Sequence, residues 1–254
     1  MTLITGRVKK GTEIIQVLIE DGKIYEAEGN VFDGLTRTDR QLNPVDVTFL
    51  APVIPGKIMA VGKNYYAHVK EFDSKIPTSP IIFMKPSTAV IGPNEAIVRP
   101  SISERVDYEG ELALVIKKRT RNVKAEDYRD YVLGYTILND VTARDLQYAD
   151  GQWTRGKSFD TFAPIGPVIT DEIDPECANI KTCLNGKTVQ QSNTEKFIFP
   201  LGEIFEFVTR FTTLEPGDIL TTGTPEGVGP MVHGDVVEIT IDGIGTLRNT
   251  VVDE

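Results

Sequence analysis

Residues 106–116 read VDYEGELALVI and predict an apolar strand that carries two acidic side chains. Successive side chains of an extended strand alternate between its two faces, so Glu109 and Glu111 would point to the same side. Two like charges side by side on such a strand are unfavourable unless water or a cation neutralises them. The pair therefore indicates either a solvated strand face or a cation-binding site.

A third carboxylate follows the next apolar run, GYTILND at residues 134–140, which ends in Asp140. Corners between a strand and a helix often display functional groups on a rigid scaffold. Three carboxylates without imidazole or thiolate form an all-oxygen ligand set, which suits hard divalent cations. We therefore predict that Glu109, Glu111 and Asp140 bind Mg²⁺ or Mn²⁺, with Ca²⁺ as an alternative ion.

His68 lies in GKNYYAHVKEF, residues 62–72, directly after the apolar run 57–61. On a short helix Glu71 would lie on the same side and could hydrogen-bond one ring nitrogen, which leaves the other as a base. We expect His68 to be exposed and the carboxylate to raise its pKa. Such a pair also occurs on surface helices with a purely structural role. The second histidine, His233, is predicted to lie in a turn.

Residues 151–158, GQWTRGKS, match the phosphate-loop pattern G-x-x-x-x-G-K-S/T. That loop requires a preceding strand and a following helix, so that backbone N–H groups surround the phosphates. Here a helix is predicted before the motif, at 142–149, and the next residues, 158–170, predict a loop and a strand. Nucleotide binding is therefore disfavoured, but Lys157 would stabilise an oxyanion if it lay near the metal site.

The remaining pattern predicts a β-dominated α+β fold. Residues 12–28 form two alternating runs joined by Asp21-Gly22, which favours a tight hairpin. Residues 29–43 are polar and aperiodic, and a small N-terminal β domain is predicted at 1–50, before a catalytic domain at 51–254. The further predicted strands are 57–61, 81–84, 111–116, 132–138, 236–241 and 245–251. Helices are predicted at 125–131, at 142–149 with Thr142 as N-cap and Asp145 completing a capping box, and after Pro200, where an apolar stripe has helical spacing.

Composition restricts the class of protein further. The net charge is -10 and the sequence has no basic cluster, which argues against nucleic-acid binding. The first ten residues do not resemble a leader, and no apolar run has membrane-spanning length, so we expect a cytoplasmic protein with no membrane partner. Cys177 and Cys183 lack a CxxC pattern and a nearby histidine, which indicates two reduced thiols.

Six motifs, taken together and in order, resemble the fumarylacetoacetate hydrolase superfamily across residues 55–251. They are GKNYYAHVKEF, PIIFMKPSTAVIGP, VDYEGELALVI, GYTILNDVTARDLQ, RGKSFDTFAPIGP and TTGTPEGVG. The resemblance implies a mixed, rolled β-sheet core with few short helices, a small preceding β domain and a homodimer. It also implies that the segment with His68 and Glu71 is a lid, often mobile until ligand binds.

The resemblance assigns a role to each candidate residue. The metal ligands would be Glu109, Glu111 and Asp140, the catalytic residues His68, Glu71 and Lys157, and the substrate-binding residues Arg144, Gln147 and Thr224. Members that cleave fumarylacetoacetate itself have a longer N-terminal domain, whereas shorter members act on acylpyruvates, oxaloacetate or homoprotocatechuate-pathway intermediates.

The expected activity is metal-dependent cleavage of a C–C bond in a small 2-oxo acid, by acylpyruvate hydrolysis or oxaloacetate-type decarboxylation through an enolate that the metal stabilises. The alternative is isomerisation or decarboxylation of a hydroxymuconate-type intermediate. From a different class, the chain could be a catalytically idle dimer that keeps the fold and binds a ligand.

Overall fold

The computed structural model describes residues 3–254, and strands dominate it. The strands are β1 (Ile4–Lys10), β2 (Glu13–Glu20), β3 (Lys23–Asn30), β4 (Gly34–Leu42), β5 (Thr48–Phe49), β6 (Lys57–Gly62), β7 (Ile81–Pro86), β8 (Val90–Ile91), β9 (Ala96–Arg99), β10 (Val106–Tyr108), β11 (Gly110–Ile116), β12 (Val132–Asn139), β13 (Thr142–Ala143), β14 (Ala163–Thr170), β15 (Asn179–Leu184), β16 (Lys187–Asn193), β17 (Ile219–Thr221), β18 (Gly229–Met231), β19 (Val236–Ile241) and β20 (Gly245–Asp253). The α-helices are α1 (Tyr66–Glu71), α2 (Arg144–Asp150), α3 (Thr154–Lys157) and α4 (Leu201–Phe211), and 3₁₀ helices span Pro44–Asp46, Ser87–Ala89, Ala125–Tyr131 and Thr194–Lys196.

The largest sheet has the strand order β4-β3-β2-β1-β14-β12-β11-β17-β6-β7, with β5 paired to β1 and β8 to β14. It is mixed, because β17–β6 and β14–β8 are parallel and its other pairs antiparallel. A five-stranded sheet, β16-β15-β19-β20-β9, and a three-stranded sheet, β13-β10-β18, complete the fold. The predicted β-dominated α+β class with a mixed sheet and few short helices is confirmed.

The central strands β11 and β12 are buried along their whole length, which explains their nearly continuous apolar sequences. Helix α4 buries Leu201, Ile204, Phe205 and Val208 against the same core, as its helical spacing predicts. Each such side chain contributes roughly 1.5–3 kcal/mol when it leaves water. The site described below is therefore supported by well-packed strands and not by a loop alone.

The N-terminal strands β1–β4 form an antiparallel meander with a small core of its own. The predicted hairpin is confirmed: Asp21 and Gly22 connect β2 to β3, and both have positive φ. Strand β4 was missed, because it is an exposed edge strand without apolar alternation. The meander continues the large sheet through the pairing of β1 with β14. The domain boundary at residue 50 stays a prediction, as does the homodimer.

Two local predictions are wrong. Residues 106–116 do not form one strand, because β10 and β11 belong to different sheets and Glu109 lies between them. Helix α2 begins at Arg144, and Thr142 does not cap it, since the Thr142 hydroxyl donates to the Asp140 carbonyl at 2.9 Å. Asp145 instead accepts from the Ser103 hydroxyl at 2.7 Å.

The other predicted strands and helices form close to the expected positions, the segment 125–131 as a 3₁₀ helix. Of the helices in residues 3–254, none combines the length and the apolar character needed to cross a bilayer.

Candidate active site

The three predicted carboxylates meet where β11 and β12 lie side by side. Gly110 pairs with Asn139 across these strands, which brings Glu109 and Glu111 next to Asp140. The Asp140 N–H also donates to the Glu109 carbonyl at 2.8 Å. One oxygen of each carboxylate lies within 4.8 Å of those of the other two. All three residues are at most 4% exposed, so the cluster is not a solvated strand face.

Cationic side chains surround two of the three carboxylates. The Lys157 ammonium donates to Glu109 Oε2 at 2.7 Å and to Asp140 Oδ2 at 2.5 Å. Arg144 donates to Glu109 and, at 2.9 Å, to Asp107. Burial by itself would raise the pKa of Glu109, but Lys157 and Arg144 hold it well below its usual range. Glu109 is therefore ionised at neutral pH.

Lys85 is a further member of this cluster that sequence reasoning missed. Its side chain is fully buried and donates to Asp140 Oδ1 at 2.5 Å and to the Val141 carbonyl at 3.1 Å. Burial lowers its pKa, although Asp140 opposes that shift. The one signal in the sequence is a lysine within the otherwise apolar run of β7.

Glu111 differs from the other two carboxylates because no cationic side chain hydrogen-bonds to it within residues 3–254. Its partners are the Thr221 hydroxyl and the Gly223 N–H, the latter at 2.9 Å. Burial, reinforced by Asp140, raises its pKa well above the usual value. A cation among the three carboxylates would supply the missing counter-charge, and the all-oxygen donor set suits a hard divalent ion. The residues thus fit the metal that the sequence predicts.

His68 lies on α1, and its Nδ1 is 3.2 Å from Glu71 Oε2. The other Glu71 oxygen accepts from the Gly227 N–H at 3.0 Å, which fixes the carboxylate. The predicted exposure of His68 is wrong, since only 7% of the residue is exposed. Glu71 raises the pKa of the imidazole, as predicted, but burial outweighs the raising effects of Glu109 and Glu71, so the pKa of His68 is lowered.

A cavity of about 280 Å³ brings the predicted residues together. This volume lies near the lower end for small-molecule sites. Its polar lining comprises His68, Glu109, Glu111, Asp140, Arg144, Gln147, Lys157, Thr224, Lys63 and Ser74. Its apolar lining comprises Val61, Val69, Phe72, Phe83, Tyr148 and Trp153, with Gly62 and Gly151. Glu71 stands behind His68, outside the lining. The individual roles assigned to these residues stay predictions.

Gln190 supports the cluster from another sheet and was also missed. Its carboxamide oxygen accepts from the Gly110 N–H at 3.2 Å and from the Thr182 hydroxyl at 2.8 Å. Its amide donates to the Thr224 hydroxyl and to the Pro225 carbonyl, each at 2.9 Å. Thr224 in turn donates to the Gly110 carbonyl at 2.9 Å. Because the Thr224 hydroxyl is thus engaged, a substrate contact at this residue would use its backbone N–H.

The segment with the phosphate-loop pattern has a different structure. Residues 151–158 follow α2 directly and contain the short helix α3, so a helix and not a strand precedes the motif. The Lys157 ammonium is occupied by two carboxylates. Gln147 accepts from Arg144 at 2.7 Å and so belongs to the same network. This geometry agrees with a lysine that serves an anionic site and not a nucleotide loop.

The sequence profile of the fumarylacetoacetate (FAA) hydrolase C-terminal family matches residues 57–252, a range that contains the whole carboxylate cluster. The chain belongs to this family. The resemblance seen in the motifs is confirmed, and the chain is a member of a superfamily of enzymes.

Relatives of this FAA hydrolase family member carry several activities in their names. The mitochondrial oxaloacetate tautomerase Fahd2a of Rattus norvegicus is 44% identical over 218 residues, which are 81% of this chain and 70% of the relative. The structure of 5-carboxymethyl-2-hydroxymuconate delta-isomerase from Mycobacterium smegmatis has a TM-score of 0.93 and 44% identity, covering 99% of this chain and 100% of the other. Maleylpyruvate hydrolase from Sphingobium sp. SYK-6 has a TM-score of 0.82 and 30% identity, covering 99% and 100%.

Proposed function

We propose that this protein is a divalent-metal enzyme that moves a proton at C-3 of a small 2-oxo acid, in a keto–enol tautomerisation of the oxaloacetate type. The observation that carries the proposal is a buried histidine, held by a carboxylate, in the same small cavity as three buried acidic residues. Tautomerisation needs a base beside a site that stabilises an enolate, and this cavity offers both.

Proton transfer differs from the C–C cleavage that the sequence analysis expects as the main activity. It is supported by the relatives named as an oxaloacetate tautomerase and as isomerases of hydroxy-diene acids, each at 41–44% identity. All of these reactions shift a proton through an enolate or dienolate without breaking the carbon skeleton. Proton transfer at C-3 needs a single base, and His68 supplies one.

Glu109, Glu111 and Asp140 would hold Mg²⁺ or Mn²⁺, which when bound supplies Lewis-acid stabilisation of the charge on the 2-oxo group. Because Glu71 faces Nδ1, that nitrogen carries the proton and Nε2 is the free base. His68 takes the C-3 proton, and the electron pair of the broken C–H bond forms the C2–C3 double bond. The 2-oxo oxygen gains the negative charge and then takes the proton from His68, which returns to its neutral form.

The other side chains would stabilise this charge and exclude water. Lys157 is already oriented by Glu109 and Asp140, so its ammonium needs no reorganisation to face a developing oxyanion. Phe72, Phe83 and Trp153 supply apolar wall, which lowers the local dielectric and strengthens each charge interaction.

The decisive experiment follows oxaloacetate with the Mn²⁺-loaded and the Mg²⁺-loaded protein. Enol and keto forms are monitored by ultraviolet absorbance, and exchange of the C-3 protons with D₂O is monitored by NMR. We expect fast equilibration without pyruvate release, and we expect His68→Gln to abolish it while leaving the metal bound. Absence of any acceleration by the wild-type protein would refute the proposal.

Hydrolysis is the second candidate, because maleylpyruvate hydrolase shares the fold over the whole chain. In that reaction His68 would take a proton from the attacking water instead of from carbon. Release of pyruvate and CO₂ from oxaloacetate in that assay, or of pyruvate from an acylpyruvate tested in parallel, would favour cleavage over tautomerisation.

A further inference from the structure

Lys63 differs from the other cations of the cavity because it has no acidic partner among the residues that the structure describes. Arg144 and Lys157 both line the cavity, but each is paired with buried carboxylates. The Lys63 ammonium hydrogen-bonds only the neutral Ser74 hydroxyl, at 3.1 Å, and no carboxylate of residues 3–254 forms an ion pair with it. A half-buried ammonium without a counter-ion is available to an anion that enters the cavity.

The backbone conformation of Lys63 also indicates a ligand-binding role. Its φ is +59°, in the left-handed region that glycine and asparagine adopt more readily than lysine. Non-glycine residues in this region are concentrated at ligand sites, where the surrounding structure holds them. Here the next residue, Asn64, is buried and fixed by hydrogen bonds to Phe199 and Thr222. The strained turn therefore places the lysine at a fixed point of the cavity wall.

The position of Lys63 along the chain indicates which part of a substrate it faces. Lys63 lies between β6 and α1, His68 lies on α1 five residues later, and both line the same cavity. In the proposed reaction His68 acts at C-3, so substituents of C-3 lie on the wall that residues 63–68 form. The carboxylate and 2-oxo oxygen at the other end of the substrate belong with the acidic cluster and Lys157.

We infer that Lys63 binds a second carboxylate, carried on C-3 of the substrate, and makes the enzyme selective for 2-oxo dicarboxylates over 2-oxo monocarboxylates. This inference rests on the proposed function for the orientation of the substrate. The charge of Lys63 adds affinity for the distal carboxylate, and an uncharged substituent gains nothing from it.

The test uses two inert probes that differ only in the distal group, malate and 2-hydroxybutyrate. Their binding to the Mn²⁺-loaded protein is measured by calorimetry at fixed ionic strength, because screening weakens such contacts. We expect the wild-type protein to bind malate about tenfold more tightly than 2-hydroxybutyrate. In Lys63→Met that preference should vanish through weaker malate binding alone, and Lys63→Arg should keep most of it.

Lys70→Met is the matched control, because Lys70 is exposed on α1 and lies outside the cavity lining. It should bind both probes as the wild type does. Circular dichroism and melting temperature verify that each variant is folded. A preference for malate that survives in Lys63→Met, or a wild-type protein that lacks the preference, would overturn the inference.

The binding test is separate from the test of the reaction. A protein with a Lys63-dependent preference for malate and no tautomerase activity would refute the proposed function and leave the subsite standing. A protein with tautomerase activity whose preference for malate does not depend on Lys63 would refute the subsite and leave the proposed function standing.

Discussion

The Gln190 side chain holds the peptide of Gly110, which separates the acidic residues Glu109 and Glu111. It accepts from the Gly110 N–H directly and reaches the Gly110 carbonyl through the Thr224 hydroxyl. A Cβ on Gly110 would lie 2.6 Å from Thr182 Oγ1, so only glycine permits this approach. Both backbone polar groups of Gly110 are thus held by Gln190 of β16, the N–H directly and the carbonyl through Thr224.

Gln190→Leu should therefore weaken metal binding as well as folding. The variant leaves buried Gly110 and Thr224 groups without partners, which costs about 1–3 kcal/mol for each unsatisfied group. We expect a lower melting temperature and a loss of Mn²⁺ affinity of about tenfold, measured by electron paramagnetic resonance titration. Gln191→Leu, at an exposed position of the same strand, is the control. Unchanged Mn²⁺ affinity in folded Gln190→Leu would show that Gln190 is structural only.

Lys85→Met should lower the stability of the protein but raise its affinity for the metal. Removal of a fully buried ammonium leaves Asp140 with one counter-charge fewer, and breaking such buried pairs costs about 3–5 kcal/mol. The site also becomes more negative, so Mn²⁺ should bind more tightly and raise the melting temperature more than in the wild type. Lys57→Met, which breaks the ion pair with Asp218, should lower stability without changing the Mn²⁺ response. A reduced Mn²⁺ response in Lys85→Met would contradict this account.

The carboxylate cluster can be predicted from the sequence because each of its members lies at the end of an apolar strand pattern. These strand ends lie side by side in the sheet. Glu109 and Glu111 flank the start of one apolar run, and Asp140 ends the next. The residues that support the cluster have no comparable sequence pattern. Gln190 is 80 residues from its partner Gly110 and sits in a polar stretch, so only the pairing of sheets reveals it.

The main wrong prediction concerns the exposure of His68, and the reason is physical. Local spacing correctly placed Glu71 beside the imidazole, which by itself raises a pKa. Burial of α1 against the cavity is a tertiary effect that residues 62–72 do not encode, and it reverses the sign. Strand β4 was missed for a similar reason, because its exposed edge position removes the alternation that identifies a strand.

The lowered pKa of His68 predicts the acidic limb of the pH profile. A lowered pKa means that the ring stays neutral, and so remains a base, to pH values below its usual midpoint of about 6.5. At saturating Mn²⁺, log(kcat/KM) should fall only as the pH drops through this lower value. Glu71→Gln removes a charge that raises the pKa, so the limb should move to still lower pH while kcat falls. A limb above pH 6.5 in the wild type would exclude His68 as the titrating base.

The contact of Gly62 with Trp153 predicts a change in the cavity that can be observed without turnover. A Cβ on Gly62 would lie 2.3 Å from the Trp153 ring, and the ring also packs edge-on against Phe83 at 5.2 Å. Gly62→Ala should displace the indole and disturb the apolar wall, which raises KM more than it lowers kcat. Trp153 is the only tryptophan in the chain, so its fluorescence reports the displacement directly.

Gly6→Ala is the matched control for this substitution, because its Cβ would meet neighbours at ordinary distances of 3.5 Å or more. Its fluorescence and KM should equal those of the wild type. An emission spectrum of Gly62→Ala identical to the wild type, with KM unchanged, would mean that the wall adapts elsewhere and that Trp153 does not limit the space for substrate. A shifted spectrum with an unchanged KM would place the indole outside the substrate's reach, whereas the expected joint change makes the Gly62–Trp153 contact a determinant of cavity shape.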